Sequence, residues 1–461
     1  MILAIKRSAL HIILFFLFFS CKDEEKRGVF FGGQIINPSS NYVSLYKGNV
    51  SIDTFNLNKD YKFIREYDTI SDGIYELEHL PEHQTILLEN GDSIWARINA
   101  SSFDESIFFS GKGSSKNNFL IESMLNEKYD NNYLSTKYSS NSIDFNLIID
   151  SLIIKQKDSW IRMDSLNNLS KIAQKITQAS YIYPYATKRE RYALLRGTNW
   201  SKKEDSIYFD YRKYLNYGDN DLAFFNPYIN YTLNYINEKA LDSGQLYFKE
   251  KSLTKFNIKR LKMIDKLISG NLLRNNLARA IAFEEILNFD NHENHNEFLE
   301  IYSSINTSKN YISEVLEMHS DITKMGINKR LPRIQLKNTD GKVTNSSQIL
   351  NGKPTVFYFW SQTQMNHYRN TIEKVFLLEK KHPEYRFVGI CIQPFNSVIS
   401  KVLNMMNIDL DDQFSIINFE RASKRWVLTL LNKAIILNSK GRIKQGFANF
   451  SEENFENNLQ N

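Results

Sequence analysis

The sequence predicts a multidomain α+β protein: an N-terminal β-sandwich, a central all-helical domain and a C-terminal α/β sandwich. Three observations predict it. Short alternating apolar runs fill 29–113, helical spacing takes over across 114–328, and apolar strands alternate with amphipathic helices from 329 to 461. The 461 residues are 42% hydrophobic and 24% charged, enough for roughly three domains with cores of their own. Net charge is +6, with Lys and Arg interleaved among Asp and Glu along the whole chain. That pattern lacks the basic stripe of a nucleic-acid binder. Only Cys21 and Cys391 are present, too few for a disulfide framework.

Residues 1–20 place Lys6 and Arg7 ahead of an apolar run at 12–19, then Ser20 and Cys21. The run is too short to span a bilayer comfortably, and a small residue before Cys suits cleavage with thioether lipidation, so 1–20 read as a signal peptide. This segment resembles a lipoprotein leader, with Phe18 where such leaders usually carry Leu. The resemblance implies acyl chains, palmitate among them, on Cys21 and a lipid anchor in the cell envelope. The charged stretch 22–26 reads as a solvated tether, 21–28 in all. It is similar to the Lys-plus-acidic export tag of some surface lipoproteins, which implies display on the outer membrane. An ordinary linker without address information is the alternative.

Within 29–113, Val43 and Leu45, Ile74–Leu77, Ile86–Leu88 and Ile94–Ile98 alternate as strands. Asn90-Gly91 between two of them predicts a type I′ hairpin, because both residues tolerate positive φ. Gly33, Gly73, Gly91-Asp92 and a closing Phe109-Ser110-Gly111 together resemble the β-domain that precedes thioredoxin-like domains in envelope lipoproteins. Gly111-Lys112-Gly113-Ser114-Ser115-Lys116 has the wrong spacing for a phosphate loop and reads as an interdomain turn.

Helical spacing is clear in Leu253, Phe256, Leu261, Ile264, Leu267 and Ile268. Pro184, Gly197, Gly218, Pro227, Gly244 and Gly270 are expected at helix ends. Aromatic clusters at 181–185 and 224–228 could stack a sugar ring or a peptide, and interhelical packing is the preferred reading. His292-Glu293-Asn294-His295 puts two imidazoles three apart, but without an obvious third ligand a solvated loop is preferred to a metal site.

In the C-terminal region a strand begins at 331–336, Asp340-Gly341 makes a tight turn, and 346–350 reads as a short helix. Then 355–360 is a continuous apolar strand of the kind buried on both faces of a sheet. Tyr368, Ile372, Val375 and Phe376 share one face of the helix that follows. Strands at 387–392, 414–417, 434–437 and 442–446 alternate with helices at 398–406 and 421–428 and one from Glu452. Such alternation implies an α/β sandwich with right-handed crossovers.

The order of these elements, the Gly352-Lys353-Pro354 entry, Phe359-Trp360 at the central strand's end and the Lys440-Gly441-Arg442 hairpin resemble the TlpA/ResA branch of the thioredoxin-like superfamily. The resemblance covers Leu331 to the end. It implies a Cys-x-x-Cys at the start of the helix, where the helix dipole favours the attacking thiolate. The family pattern falls here on Gln364 and His367, with Met365 and Asn366 between, so neither sulfur is present. The family's cis-proline falls on Asn432. Cys391, placed near the end of the strand beside the central one, could pair with His367 as a nucleophilic or peroxidatic site; an inert core thiol is the preferred alternative.

The expected function is therefore a membrane-anchored lipoprotein whose redox-inactive thioredoxin-like domain binds a protein or peptide partner, with no cofactor, metal or nucleic acid implied. Two alternatives stand beside it. One is a thiol-disulfide oxidoreductase or thiol peroxidase relative acting with a partner or through Cys391. The other is a nutrient-capture lipoprotein whose helical domain holds the ligand.

Overall fold

The computed structural model describes residues 28–196, 206–241, 253–288, 295–396, 399–405 and 408–460. The leader with Lys6 and Arg7, Cys21 and the tether lie outside them, as do Gly197, Gly244 and His292-Glu293-Asn294. The described chain mixes sheet and helix: several sheets and a helical region.

The first eight strands are β1 (Val29–Ile36), β2 (Tyr42–Lys47), β3 (Val50–Asn56), β4 (Lys62–Tyr67), β5 (Gly73–His79), β6 (Glu82–Leu88), β7 (Ser93–Asn99) and β8 (Phe108–Lys112). They form two four-stranded sheets, ordered β4-β1-β7-β8 and β3-β2-β5-β6. Alternation explains the packing: Phe31, Phe63, Ile94 and Phe109 of one sheet share a core with Val43, Leu45, Leu77 and Ile86 of the other. Asn90-Gly91 does not close a hairpin. The strands it joins, β6 and β7, belong to different sheets, so the turn is the corner where the chain crosses the sandwich. Gly91 takes its expected positive φ of 90°, but the conformation serves the corner, which Asp92 holds by accepting the Glu89 N–H at 2.8 Å.

Eight helices of eight or more residues lie among the described residues before the last sheet: α1 (Ser114–Ser135), α2 (Ser142–Asn167), α3 (Lys171–Arg196), α4 (Asn226–Ala240), α5 (Leu253–Leu267), α6 (Asn271–Ile286), α7 (Asn296–Ile305) and α8 (Lys309–Lys324). Lys116, in the Gly-rich turn that opens α1, is buried and pairs with Glu89 at 2.5 Å and Asp92 at 2.7 Å. It neutralises the two acids flanking the Asn-Gly corner, and so ties sandwich to helices. The aromatic clusters are largely core: Tyr183 meets Tyr228 at 4.8 Å between centroids, and Tyr181, Tyr185 and Phe225 are buried. Pro184 does not end its helix. It sits inside α3, where burial of Tyr183 and Tyr185 on either side outweighs the roughly 3 kcal/mol that an interior proline costs. Pro227 does start α4, and Gly270 precedes α6. His295 is packed against the ring of His319, 5.5 Å away, and its Nε2 lies 3.6 Å from Glu285. It is not solvated as the loop reading expects.

The last region is one seven-stranded mixed sheet, ordered β10-β9-β13-β12-β11-β14-β15. Its strands are β9 (Gln335–Asn338), β10 (Val343–Asn345), β11 (Thr355–Trp360), β12 (Arg386–Cys391), β13 (Gln413–Ile416), β14 (Lys433–Leu437) and β15 (Ile443–Asn449). β11 runs parallel to β12 and antiparallel to β14. Separate apolar cores on the two faces confirm why all six residues of β11 are buried. Helices α9 (Met365–Lys381), α10 (Ile399–Met405) and α11 (Phe419–Trp426) connect the strands.

Two helix expectations fail here. Residues 346–350 are turns: Ser346 exchanges hydrogen bonds with the Ile334 backbone, and Gln348 bonds back to the Asn345 N–H at 3.0 Å, so the segment is spent bracing β9. After Glu452 the chain turns repeatedly and is helical only over Asn457–Gln460, in line with the preference of Asn454, Asn457 and Asn458 for local turns.

Candidate functional site

Six consecutive apolar residues make β11 the buried centre of the sheet, and its end delivers a four-residue loop, 361–364, to the start of α9. Gln364 is the residue just before the helix; its side chain is exposed and caps nothing. Met365, Asn366 and His367 form the first turn. Their backbone N–H groups have no acceptor within the helix, as at any helix start. His367 is half-buried, its Nδ1 has no hydrogen-bond partner, and burial lowers its pKa, so the ring is neutral at pH 7.

The loop itself is held by amides. Gln393 Oε1 accepts the Gln362 N–H at 3.0 Å while Gln393 Nε2 donates to Ser361 Oγ at 2.7 Å. Gln362 Nε2 donates to the Pro394 carbonyl at 2.7 Å, and Ser361 Oγ contacts Thr363 Oγ1 at 2.8 Å. Below, Trp360 stacks on Tyr368 at 4.1 Å, filling the space between strand end and helix.

Cys391 pairs with Trp360 across β11 and β12, as adjacency of the two strands requires. Its sulfur is fully buried, 3.6 Å from Gln362 Nε2 and 3.6 Å from Gln393 Oε1. Burial pushes the thiol up to about 12, with the neighbouring hydrogen bonds pulling weakly the other way. At pH 7 the sulfur is therefore held as the thiol. The amide partners of this sulfur are Gln362 and Gln393, and no imidazole is among its hydrogen-bond partners. Asn432 sits in a tight turn before β14, where its carbonyl accepts the Phe450 N–H at 2.6 Å; the one cis peptide among the described residues is Leu80–Pro81.

Sequence reasoning reached Gln364, His367, Cys391 and Asn432 but missed Gln362 and Gln393. No local signal marks them, since they are 31 positions apart and meet only because β11 and β12 are neighbours in register. Among the described residues no group of three His, Cys, Asp or Glu could hold a metal, and no helix is long and apolar enough to cross a membrane.

No protein-family model matches the chain, and no curated protein matches it. Solved structures resemble parts of it. A thioredoxin-like protein from Bacteroides caccae shares 10% identity and a TM-score of 0.32 over 56% of this chain and 93% of its own. The thioredoxin domain of a thiol-disulfide oxidoreductase from Bacteroides vulgatus shares 12% identity, TM-score 0.22, over 26% of this chain and 85% of its own. StoA from Bacillus subtilis shares 15%, TM-score 0.20, over 25% and 86%.

Proposed function

We propose that the C-terminal domain is a redox-inactive thioredoxin-like module, held at the cell envelope by a lipid on Cys21, that binds a protein or peptide without turning it over. The observation that supports this reading is a loop at the start of α9 that carries no sulfur and is held by amides. Thiol-disulfide exchange needs an attacking thiolate and a second thiol to resolve the mixed disulfide. Gln364 and His367 offer neither, and the sulfur of Cys391 is sealed beneath Gln362 and Gln393. What the loop retains is the start of a 17-residue helix, whose free N–H groups suit a carboxylate or a backbone carbonyl of a partner.

The test is turnover. Purified full-length chain should neither reduce insulin nor consume peroxide above the buffer rate, and Cys391→Ser should change nothing. Thiol-dependent turnover that disappears in Cys391→Ser would replace the binding reading with an enzymatic one. The anchor is tested separately: Cys21→Ser should release the protein from the membrane fraction, and mass spectrometry should find acyl chains on the N-terminal peptide of the unsubstituted chain.

A further inference from the structure

The two proline-containing aromatic clusters, besides building the helical core, line one cavity that the site above does not use. It holds about 300 Å³ and opens between the outer strand of the second sheet, β6, and helices α1, α3 and α4. Leu120, Met124, Pro184, Phe225 and Pro227 give it an apolar floor.

Its polar equipment is specific. β6 is an edge strand, pairing only with β5. At one end the protein closes this edge itself: buried Asn117 accepts the Leu87 N–H at 2.7 Å and donates to the Leu87 carbonyl at 2.9 Å, as a neighbouring strand would. Backbone groups alternate sides with a period of two, so Thr85 and His83 also face away from β5. The Thr85 carbonyl accepts from the side chain of Gln84 at 3.0 Å. Among the described residues no hydrogen bond occupies the Thr85 N–H or either backbone group of His83 on the side away from β5, and both residues line the cavity. Across it, Pro184 lacks the N–H that would bond the Ser180 carbonyl in a regular helix. Asn226 and Asn230, one turn apart on α4, present carboxamides with no partner inside the protein.

Charge is balanced. Lys188 and Glu127 pair at 2.6 Å, Glu127 also accepts from Asn131 at 2.9 Å, and His83 faces Glu76 at 3.5 Å. The cavity therefore disfavours an ionised ligand, which would enter without a counter-charge.

We infer that this cavity is a second binding site, for an uncharged peptide segment that adds as a strand to β6 at His83 and Thr85 and seats one apolar side chain between Met124, Phe225 and the two prolines. An open edge supplies the alternating donors and acceptors that an extended backbone requires, and the cavity's volume fits a single large side chain rather than a folded surface. A sugar would find the amides but would leave the edge N–H of Thr85 without its in-line carbonyl. The site is independent of the Gln364–His367 loop, and either can fail alone.

The test uses the full-length chain with blocked heptapeptides of alternating Thr and Val carrying a central Leu, a matching series with central Gly, and maltohexaose. Hydrogen exchange should show the Thr85 amide slowed at least 10-fold by the Leu peptides at millimolar concentration, and at least 10-fold weaker binding of the Gly series. Thr85→Pro removes the outward N–H while sparing the ladder to β5 and should abolish the effect. Met124→Trp, which fills the cavity from α1 and leaves the edge intact, gives the same answer should the proline disturb folding. Protection by maltohexaose instead of peptide, no protection by any peptide, or equal binding of the Leu and Gly series would each overturn the inference.

Discussion

Replacing Gln393 by Leu keeps the volume of the side chain and deletes its two amide functions. Gln393 is 6% exposed and makes two hydrogen bonds to the loop, to the Gln362 N–H and to Ser361 Oγ. Each contributes about 1 kcal/mol net, but the losses are not equal. Ser361 keeps its contact with Thr363, whereas the Gln362 N–H is left without a partner beneath the loop, a cost of about 1–3 kcal/mol. The total is about 2–4 kcal/mol of local stability, which corresponds to a roughly 30- to 1000-fold faster opening equilibrium. Global unfolding is the wrong readout, because a chain with several cores does not unfold in one step. Hydrogen exchange on a peptide covering β11 and the loop reads the local quantity directly. Acceleration within that range at Gln362, with β9 and β10 unchanged, is expected. A change under threefold would refute the claim that amides hold the loop.

Three further outcomes rest on the same physical chemistry. Lys116→Met leaves Glu89 and Asp92 facing each other in a buried corner and should destabilise the sandwich by about 3–5 kcal/mol, read as a lowered urea midpoint of its tryptophan and amide signals. Gly113→Ala and Gly352→Ala both force a side chain into positive φ, at 88° and 84°, but a Cβ at 113 would overlap Asp92 Oδ1 while one at 352 meets nothing within 4 Å. Thermal scans should show the 352 variant losing about 1 kcal/mol and the 113 variant clearly more. Lys433 is buried with its Nζ donating to the Trp426 and Val427 carbonyls at 2.6 and 3.0 Å, and burial lowers its pKa well below the usual lysine range. The unfolded chain thus binds more protons than the folded one between that lowered pKa and about 10.4, and stability should rise with pH across this window. Lys433→Met should flatten that rise in urea titrations of the C-terminal region.

Much of the architecture is legible in residue order because periodicity reports burial. The unbroken apolar run of β11 announces a strand covered on both faces, and the alternation of Ile94, Ala96 and Ile98 with more exposed neighbours announces one covered chiefly on a single face. Partner choice is not legible that way. Asn90-Gly91 reports a backbone conformation correctly, but φ says nothing about which sheet the next strand joins, and here that strand crosses to the other one. Pro184 reports a missing N–H correctly, yet aromatic packing on both sides carries α3 through it. At the loop, the absence of sulfur at Gln364 and His367 is visible in the sequence. The amide contacts that hold the loop are not, because Gln362 and Gln393 belong to segments whose adjacency is a tertiary fact.

Alkylation kinetics at Cys391 measure directly whether this protein carries a usable thiolate beside the loop. Iodoacetamide labelling of the native full-length chain, followed at the Cys391 peptide by mass spectrometry, should run at least 1000-fold slower than labelling of a free cysteine at pH 7, and should still be climbing at pH 10 because the thiol titrates only at about 12. Labelling within tenfold of the free thiol, levelling off near pH 8.5 or below, would mean that it does and would contradict the redox-inactive reading.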